Sequence, residues 1–337
     1  MRFIASAFWI ALLPVVATAH HSRAEYVDEA EIEGTLIDIL WRNPHPAFTI
    51  EVEGDGQISR WMVEGWSSLN GFTRAGITRD RFEIGDTVKM FGRVSARREG
   101  RILSTHILLA DGTEAILRRE AEPHWGESQT LGGRAKWEAE TQAAVVNAAK
   151  EGRGFFRVWS YPTPDVRTRS YLPLTASAQA TRTEWDEFDN YIMRCEPKGM
   201  PGSMTNPNPF EFIGQGDTIV IRGYEGDIRR TVHMRNAPDP ATQPGTRLGF
   251  SVGRWEDEGS TLVIHTTRMN FPYLSATGIP LSEAVEMIER YTLSDDQARL
   301  DFHFTITDPE TFTEPATYEY YWLALGEAFG DYACDVH

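Results

Sequence analysis

Short runs of β-branched, aromatic and alternating residues, each closed by turn residues, fill most of this chain. Five of these runs precede residue 112, and they cover residues 32–41, 47–52, 59–64, 87–94 and 102–109. Turn pairs such as Asn43-Pro44 and Glu99-Gly100 separate the runs in every gap but one. Runs and turns of this kind predict β-strands. The chain is therefore expected to be mainly β.

The gap between the third and fourth runs predicts a short helix over residues 67–77, with Ser67 at its N-cap. Five strands with a helix between the third and the fourth is the order of an OB-fold barrel. The segment Ile84-Gly85-Asp86-Thr87-Val88 is typical of the fourth strand of such a barrel. Residues 20–112 are therefore predicted to form an OB-like five-stranded barrel.

Eight further runs lie in the second half, residues 195–337. They cover residues 210–214, 218–224, 228–234, 248–255, 261–267, 286–293, 299–305 and 316–323. Alternation is clearest from Leu300 to Ile306, where one face is wholly apolar. Short strands with tight turns predict an antiparallel β-barrel or a curved, lipocalin-like meander. A sandwich of two sheets is the alternative.

Residues 113–194 are less regular and predict a partly helical connector. Residues 137–150 are rich in Ala, Glu and Gln and indicate a helix, which Gly152 and Gly154 end. Residues 175–185 indicate a second helix with Thr175 as its cap.

The first 19 residues have the pattern of a signal peptide. One Arg precedes an apolar run, and Ala17-Thr18-Ala19 supplies the small residues of a cleavage site. The alternative is an uncleaved anchor, but the run is shorter than the ~20 apolar residues that span a bilayer. We expect cleavage between Ala19 and His20, a periplasmic or secreted product, and no membrane insertion after cleavage.

The net charge and the absence of nucleotide-binding motifs argue against two classes of partner, nucleic acids and nucleotide cofactors. The formal net charge of −16 repels phosphate backbones, which argues against nucleic acid. No Gly-x-Gly-x-x-Gly after a strand, P-loop or Gly-x-Ser-x-Gly elbow occurs, so no nucleotide cofactor is expected.

The chain has two cysteines, Cys195 and Cys334. An even pair in an exported protein predicts one disulfide. The alternative is a metal or redox pair, but the Cys-x-x-Cys spacing is absent.

Several motifs resemble uncharacterised exported bacterial proteins. The first group is His20-His21-Ser22, Trp41-Arg42-Asn43-Pro44-His45 and the Gly-Asp-x-Val strand at residues 85–88. It resembles an exported domain of unknown function. The second group is Cys195-Glu196-Pro197-Lys198-Gly199-Met200-Pro201, Gly249-Phe250-Ser251-Val252-Gly253-Arg254-Trp255-Glu256, Glu289-Arg290, Asp308-Pro309 and Cys334. It resembles a β-domain of unknown function, although that group usually has Asp where this chain has His265. The resemblance implies the two-domain plan. It implies nothing about an activity.

A metal site is the first functional hypothesis. Cleavage before His20 frees an amine on a residue that is itself histidine, so the amine and one imidazole nitrogen chelate an ion together. Nitrogen ligands in a plane suit Cu(II) best, ahead of zinc. His21 and His45 are the expected further ligands. The alternative is a disordered polar terminus without metal.

Catalysis in the C-terminal barrel is the second hypothesis, with His233, His265, His303, Glu225 and Arg254 as candidates. Histidine beside a carboxylate suits general acid–base work, and a structural network of ion pairs is the alternative. A ligand site among aromatic residues is the third hypothesis, with plain core packing as its alternative. Those residues are Trp255, Tyr273, Tyr291, Tyr318, Tyr320, Tyr321 and Trp322.

We therefore expect a periplasmic binding or accessory protein whose partner is a metal ion, copper first, or a small molecule. The alternatives are a barrel enzyme (hydrolase, isomerase or cyclase) acting on a hydrophobic small molecule and a structural component of an envelope complex. The sequence names no protein partner.

Overall fold

The computed structural model describes residues 25–334, except 55, 127, 163–168, 186–189 and 328–329. These residues form two sheets, of seven and ten strands. The fold is mainly β, as predicted.

The N-terminal sheet begins with a closed barrel. Its elements are β1 (Tyr26–Leu40), β2 (Ala47–Gly54), β3 (Gln57–Gly65), α1 (Leu69–Arg74), β4 (Thr87–Ser95) and β5 (Arg101–Leu108). β1 pairs with β2 and β4, β2 pairs with β3, and β4 pairs with β5. A parallel pairing of β3 with β5 closes the ring. This is the OB-like five-stranded barrel with a helix between its third and fourth strands, so that prediction is confirmed.

The interior of this barrel is apolar because alternate residues of each strand point inward. Phe48 on β2 and Val63 on β3 are fully buried. α1 covers one end of the barrel with Phe72, whose ring centroid lies 5.4 Å from that of Trp41. The helix is shorter than predicted and begins after Ser68; the Ser67 hydroxyl donates instead to the Leu117 carbonyl at 2.7 Å.

The stretch predicted as a connector contributes to both sheets. Its elements are β6 (Glu114–Ile116), β7 (Thr130–Gly132), α2 (Arg134–Glu151), β8 (Val158–Trp159), β9 (Arg169–Tyr171) and α3 (Ala176–Glu184). β6 and β7 extend the first sheet, and β8 and β9 lie at the two ends of the second. Both predicted helices are present: α2 ends at Gly152 in the left-handed region, and the Thr175 side chain caps α3 by accepting from the Ala178 amide.

The C-terminal sheet is one continuous, strongly curved surface. Its other strands are β10 (Phe210–Gln215), β11 (Thr218–Gly223), β12 (Ile228–His233), β13 (Phe250–Glu256), β14 (Thr261–Thr267), β15 (Glu286–Leu293), β16 (Arg299–Thr307) and β17 (Ala316–Leu323). Within the described residues its pairings are antiparallel except for a two-residue parallel contact of β12 with β13. Ser160, directly after β8, exchanges two backbone hydrogen bonds with Leu323 of β17, so the two ends of the sheet meet. The barrel prediction holds, and the sandwich alternative does not.

Short 3-10 helices punctuate the loops of this half. They are Arg79–Arg81 in the first barrel and Tyr191–Arg194, Gly202–Met204, Glu225–Asp227, Pro240–Thr242 and Asp257–Gly259 in the second half.

A junction of buried polar contacts joins the two halves. The Asn43 amide donates to the Ala333 carbonyl at 3.0 Å, and its side chain donates to the Tyr224 hydroxyl at 3.2 Å. Its side-chain oxygen accepts from the Leu69 amide. Asn43 is fully buried, so its side chain requires these partners. The Asn43-Pro44 segment is therefore a contact with the second half as well as a turn.

The two cysteines form the predicted disulfide. The Cα atoms of Cys195 and Cys334 lie 5.8 Å apart, within the range that a disulfide requires. The bond holds the chain beside Ala333 against the start of the C-terminal half.

Candidate functional site

His45 lies on the loop between β1 and β2, at one end of the first barrel. Its Nδ1 lies 2.5 Å from Oε1 of Glu64, and both side chains are 22% exposed. Glu64 lies near the end of β3 and also accepts a hydrogen bond from the Tyr26 hydroxyl. Burial and the negative charge of Glu64 raise the pKa of Tyr26. The first strand therefore begins beside the carboxylate that holds His45.

His20 and His21, the other predicted metal ligands, lie outside the described residues. Among the residues that the structure describes, no group of three or more His, Cys, Asp or Glu side chains is placed to hold a metal ion. The described part of the predicted site is thus His45 with its Glu64 partner.

Two further histidines of the first barrel, His106 and His124, lie at a loop that Glu114 holds in place. The buried Glu114 carboxylate accepts from the backbone amides of His124 and Trp125 and from the Ser128 hydroxyl. Nε2 of His106 lies 3.0 Å from a loop carbonyl, and burial lowers the pKa of His106. The neutral His106 imidazole and the fully engaged Glu114 carboxylate fix the loop at Glu122, His124, Trp125 and Ser128, which is a structural role.

Two of the catalytic candidates lie on the outer face of the C-terminal sheet. His265 is 46% exposed, with Nε2 3.2 Å from Glu286, and His303 is 38% exposed, with Nε2 3.7 Å from Glu319. The apolar side chains of β16 line the interior, so His303 points outward. Each histidine forms a cross-strand pair on an exposed surface.

Arg254 and His233 also lie on this outer side. Arg254 is 62% exposed and donates to Glu256, whose pKa is lowered by its hydrogen bonds to arginine side chains. The His233 ring stacks on Phe250 with centroids 4.8 Å apart. Two cavities stand out among the described residues, and neither is lined by His233, Arg254, His265 or His303.

Glu225 does not lie on this outer face of the sheet. It lies in a 3-10 turn at the junction, where its carboxylate is 2.7 Å from Nζ of Lys198 and accepts from the Asn208 side chain at 2.9 Å. Lys198 is 8% exposed, so Glu225 supplies the opposite charge that a buried ammonium needs. The structure therefore does not bring the five candidates together.

A buried group of polar side chains that was not among the predicted site residues lies inside the second barrel. The Arg230 guanidinium donates to Glu289 from both terminal nitrogens, to Ser251 from Nε at 3.0 Å and to Thr266 at 2.6 Å. The Tyr291 hydroxyl donates to the same carboxylate at 2.7 Å. All five residues are at most 2% exposed. We call these five residues the inner network.

Each guanidinium nitrogen of the inner network has a partner, and burial raises the pKa of Tyr291 well above its ordinary value. Because these side chains are buried and hydrogen-bonded to one another, we assign the inner network a structural role.

Most of the aromatic residues that were predicted to form either a ligand site or the core belong to the core. Tyr291 and Trp322 are fully buried and stack with centroids 5.9 Å apart, and the Tyr320 hydroxyl donates to the Met204 carbonyl. Trp255 lies near the end of β13 on the same face as Ser251, is 38% exposed and packs against the buried Phe155. Tyr273 differs, because it lines an open cavity.

Comparison with known proteins supports a shared domain in the first part of the chain. Residues 9–105 match a family model described as "Family of unknown function (DUF6152)". This confirms the expected domain of unknown function there, whereas the motif series of the second half stays a resemblance. No curated protein matches the chain.

Among solved structures, the chain is similar to the SSB domain of a protein from Synechococcus sp.. The two share 21% identity over 26% of this chain and 98% of that chain, with a TM-score of 0.18. A similarity of that size supports no conclusion about function. In the stretches that the structure describes, no helix is both long and apolar enough to cross a bilayer.

Proposed function

We propose that this protein is an exported binding protein, periplasmic or secreted, that holds one copper ion through His20, His21 and His45 after cleavage behind Ala19. The observation that supports the proposal is the chain of contacts from His45 to Glu64 to Tyr26. Tyr26 follows His20 by six positions. Six residues span at most ~21 Å, so His20 is within reach of His45.

Glu64 has the role expected of an outer partner of a ligating histidine. A carboxylate at Nδ1 fixes the ring and places the proton on that nitrogen. Nε2 of His45 is then the nitrogen that we assign to the metal. The terminal amine and Nδ1 of His20 supply two nitrogens in one chelate, which suits the planar geometry of Cu(II).

The first test compares the chain beginning at His20 with the same chain acetylated at its N-terminus. Acetylation removes the amine from the terminal chelate, and we expect the Cu(II) affinity to fall about a hundredfold or more. The affinity is measured by competition with a chromophoric chelator at fixed pH. Binding by the native form should weaken as the pH falls, because amine and imidazole must both be deprotonated.

Variants of the described residues complete this test. His45→Ala and Glu64→Gln should each lower the Cu(II) affinity by about 10–100-fold, the usual effect of losing a ligand or its outer partner. His303→Ala is the matched control, because that imidazole also faces a carboxylate but lies on the second barrel. Equal affinity of the acetylated and native chains would refute the terminal chelate.

The alternative of a barrel enzyme has less support. His265, His303 and Arg254 are each paired with a glutamate on an exposed sheet face, where their side chains are in contact with water. We therefore propose a metal ion, and neither a nucleic acid nor a nucleotide, as the principal partner.

A further inference from the structure

The Glu225 carboxylate at the junction of the two halves holds an amine and an amide side by side. Its Oε1 lies 2.7 Å from Nζ of Lys198, and its Oε2 accepts from Nδ2 of Asn208 at 2.9 Å. Asn208 stands two positions before β10, and Glu225 lies in the 3-10 turn after β11. A lysine amine is a nucleophile, and the carbon of a side-chain amide is an electrophile. One carboxylate thus holds two groups that can react with each other.

Water has little access to this group. Lys198 is 8% exposed, Asn208 is 7% exposed, and the Glu225 side chain is 14% exposed. Two tyrosines lie near the carboxylate: burial and then the negative charge of Glu225 raise the pKa of both Tyr191 and Tyr332. Burial of an ion pair removes the hydration of both charges, and the passage of one proton from the ammonium to the carboxylate removes the charges themselves. That single transfer leaves Lys198 as an amine.

The Asn208 amide has contacts that suit an attack on its carbon. The side-chain oxygen accepts from the Ser68 hydroxyl at 3.4 Å. A donor at that oxygen stabilises the negative charge that the oxygen gains when the carbon is attacked. The amide nitrogen, which would be the leaving group, donates to the same carboxylate that contacts Lys198. The carboxylate is therefore placed to carry protons from the amine to the leaving nitrogen.

The residue after Asn208 closes the common route by which an asparagine side chain loses ammonia. In that route the backbone nitrogen of the following residue attacks the side-chain amide. Pro209 follows Asn208, and a proline nitrogen carries no hydrogen. Another amine must therefore make the attack, and Nζ of Lys198 is the amine that Glu225 holds nearby.

We propose that Lys198 and Asn208 become joined by a covalent amide bond, with Glu225 as the base. The bond from the Asn208 side-chain carbon to Nδ2 breaks, and a bond from that carbon to Nζ of Lys198 forms. Glu225 takes two protons from Nζ in turn and passes both to the departing nitrogen, which leaves as ammonium. The ammonium and the primary amide thus become a secondary amide and a free ammonium ion, so atoms and charge balance without an oxidant or a cofactor.

The reaction requires only a local movement. Reacting atoms must approach to ~3–3.5 Å, and both nitrogens already contact the two oxygens of one carboxylate. A rotation of the Lys198 side chain across that group makes the approach. The bond would connect residues ten positions apart and attach the Lys198-Gly199-Met200-Pro201 segment to the start of β10. It gives this motif a role that the proposed metal site does not.

The mass of the intact chain is the direct test. We expect the full chain, denatured and reduced, to weigh ~17 Da less than its sequence requires, which is the mass of one ammonia. After digestion with trypsin, residues 195–222 should stay in one peptide with the same deficit, because acylation removes the lysine charge that trypsin recognises. Unlinked protein is cut after Lys198 and gives a peptide of residues 199–222. The result does not depend on copper.

Variants identify the groups that react. Lys198→Arg and Asn208→Ala each remove one reacting group, and Glu225→Gln removes the base, so all three should have the full mass of their sequence. Glu33→Gln is the matched control, because Glu33 also pairs with a lysine, Lys89, at 3.2 Å but on the surface. This control should keep the deficit. Thermal melting followed by circular dichroism identifies the variants that are folded.

Three results would overturn the proposal. The first is the full sequence mass in the folded native chain, which needs no variant. The second is a deficit that persists in Lys198→Arg, since ammonia would then leave from another reaction. The third is a deficit that persists in Glu225→Gln, which would show that the carboxylate is not the base.

Discussion

The Arg230→Met variant should have a free energy of unfolding about 3–5 kcal/mol below that of the native chain. The substitution removes the guanidinium from the inner network and leaves the Glu289 carboxylate buried without its cation. Ser251 and Thr266 lose a donor at the same time. A buried charge without a partner is far more costly than a missing surface contact. Urea unfolding followed by tryptophan fluorescence measures the loss.

The double variant Arg230→Met/Glu289→Leu should recover most of that stability, because both charges leave the interior together. Arg254→Met is the matched control: its guanidinium also pairs with a glutamate, but on the exposed face, so the expected change is within ~1 kcal/mol. If Arg230→Met unfolds at the same urea concentration as Arg254→Met, the inner network does not stabilise the barrel.

Loss of the disulfide should have an effect of similar size. The bond between Cys195 and Cys334 closes a loop with a sequence separation of 139 residues. Closing so long a loop restricts the unfolded chain, so replacing both cysteines with alanine should lower the free energy of unfolding by about 3–5 kcal/mol. The measurement compares denaturant unfolding of the two forms under non-reducing conditions.

A reductant supplies the control for this second prediction. Dithiothreitol should shift the unfolding midpoint of the native chain to that of the double alanine variant and leave the variant itself unchanged. Identical midpoints for the native chain with and without reductant would show that the cross-link contributes nothing to stability.

Local patterns predicted the strands because alternation and turn residues are themselves local. The run predicted at residues 87–94 is observed as β4, Thr87–Ser95. The short strands β6, β7 and β9 were not predicted, and β1 begins at Tyr26, six residues before the predicted start at residue 32. That extension is rich in acidic residues, and its pairing with β4, a segment sixty residues away, provides the backbone hydrogen bonds. A contact so distant in sequence leaves no local signal.

The inner network shows which of its features the alternation of a strand can predict and which it cannot. Arg230 lies between Ile228 and Val232, two positions from each, on the apolar side of β12. Glu289 occupies the same kind of position on β15. Alternation alone could therefore have indicated two buried charges. Their pairing depends on how the sheet curves, which a strand pattern does not encode.

The junction at Asn43 has a consequence for the order of events during synthesis. The first barrel is complete once β5 has been made, but Ala333, the acceptor for the Asn43 amide, is translated only after β17. At ~5–20 residues per second, roughly 10–45 s separate the end of β5 from Cys334. During that interval the Asn43 amide must form a hydrogen bond to water instead. The contact between the two halves is therefore completed only after both sheets have been made, by the same few residues that carry the second cysteine.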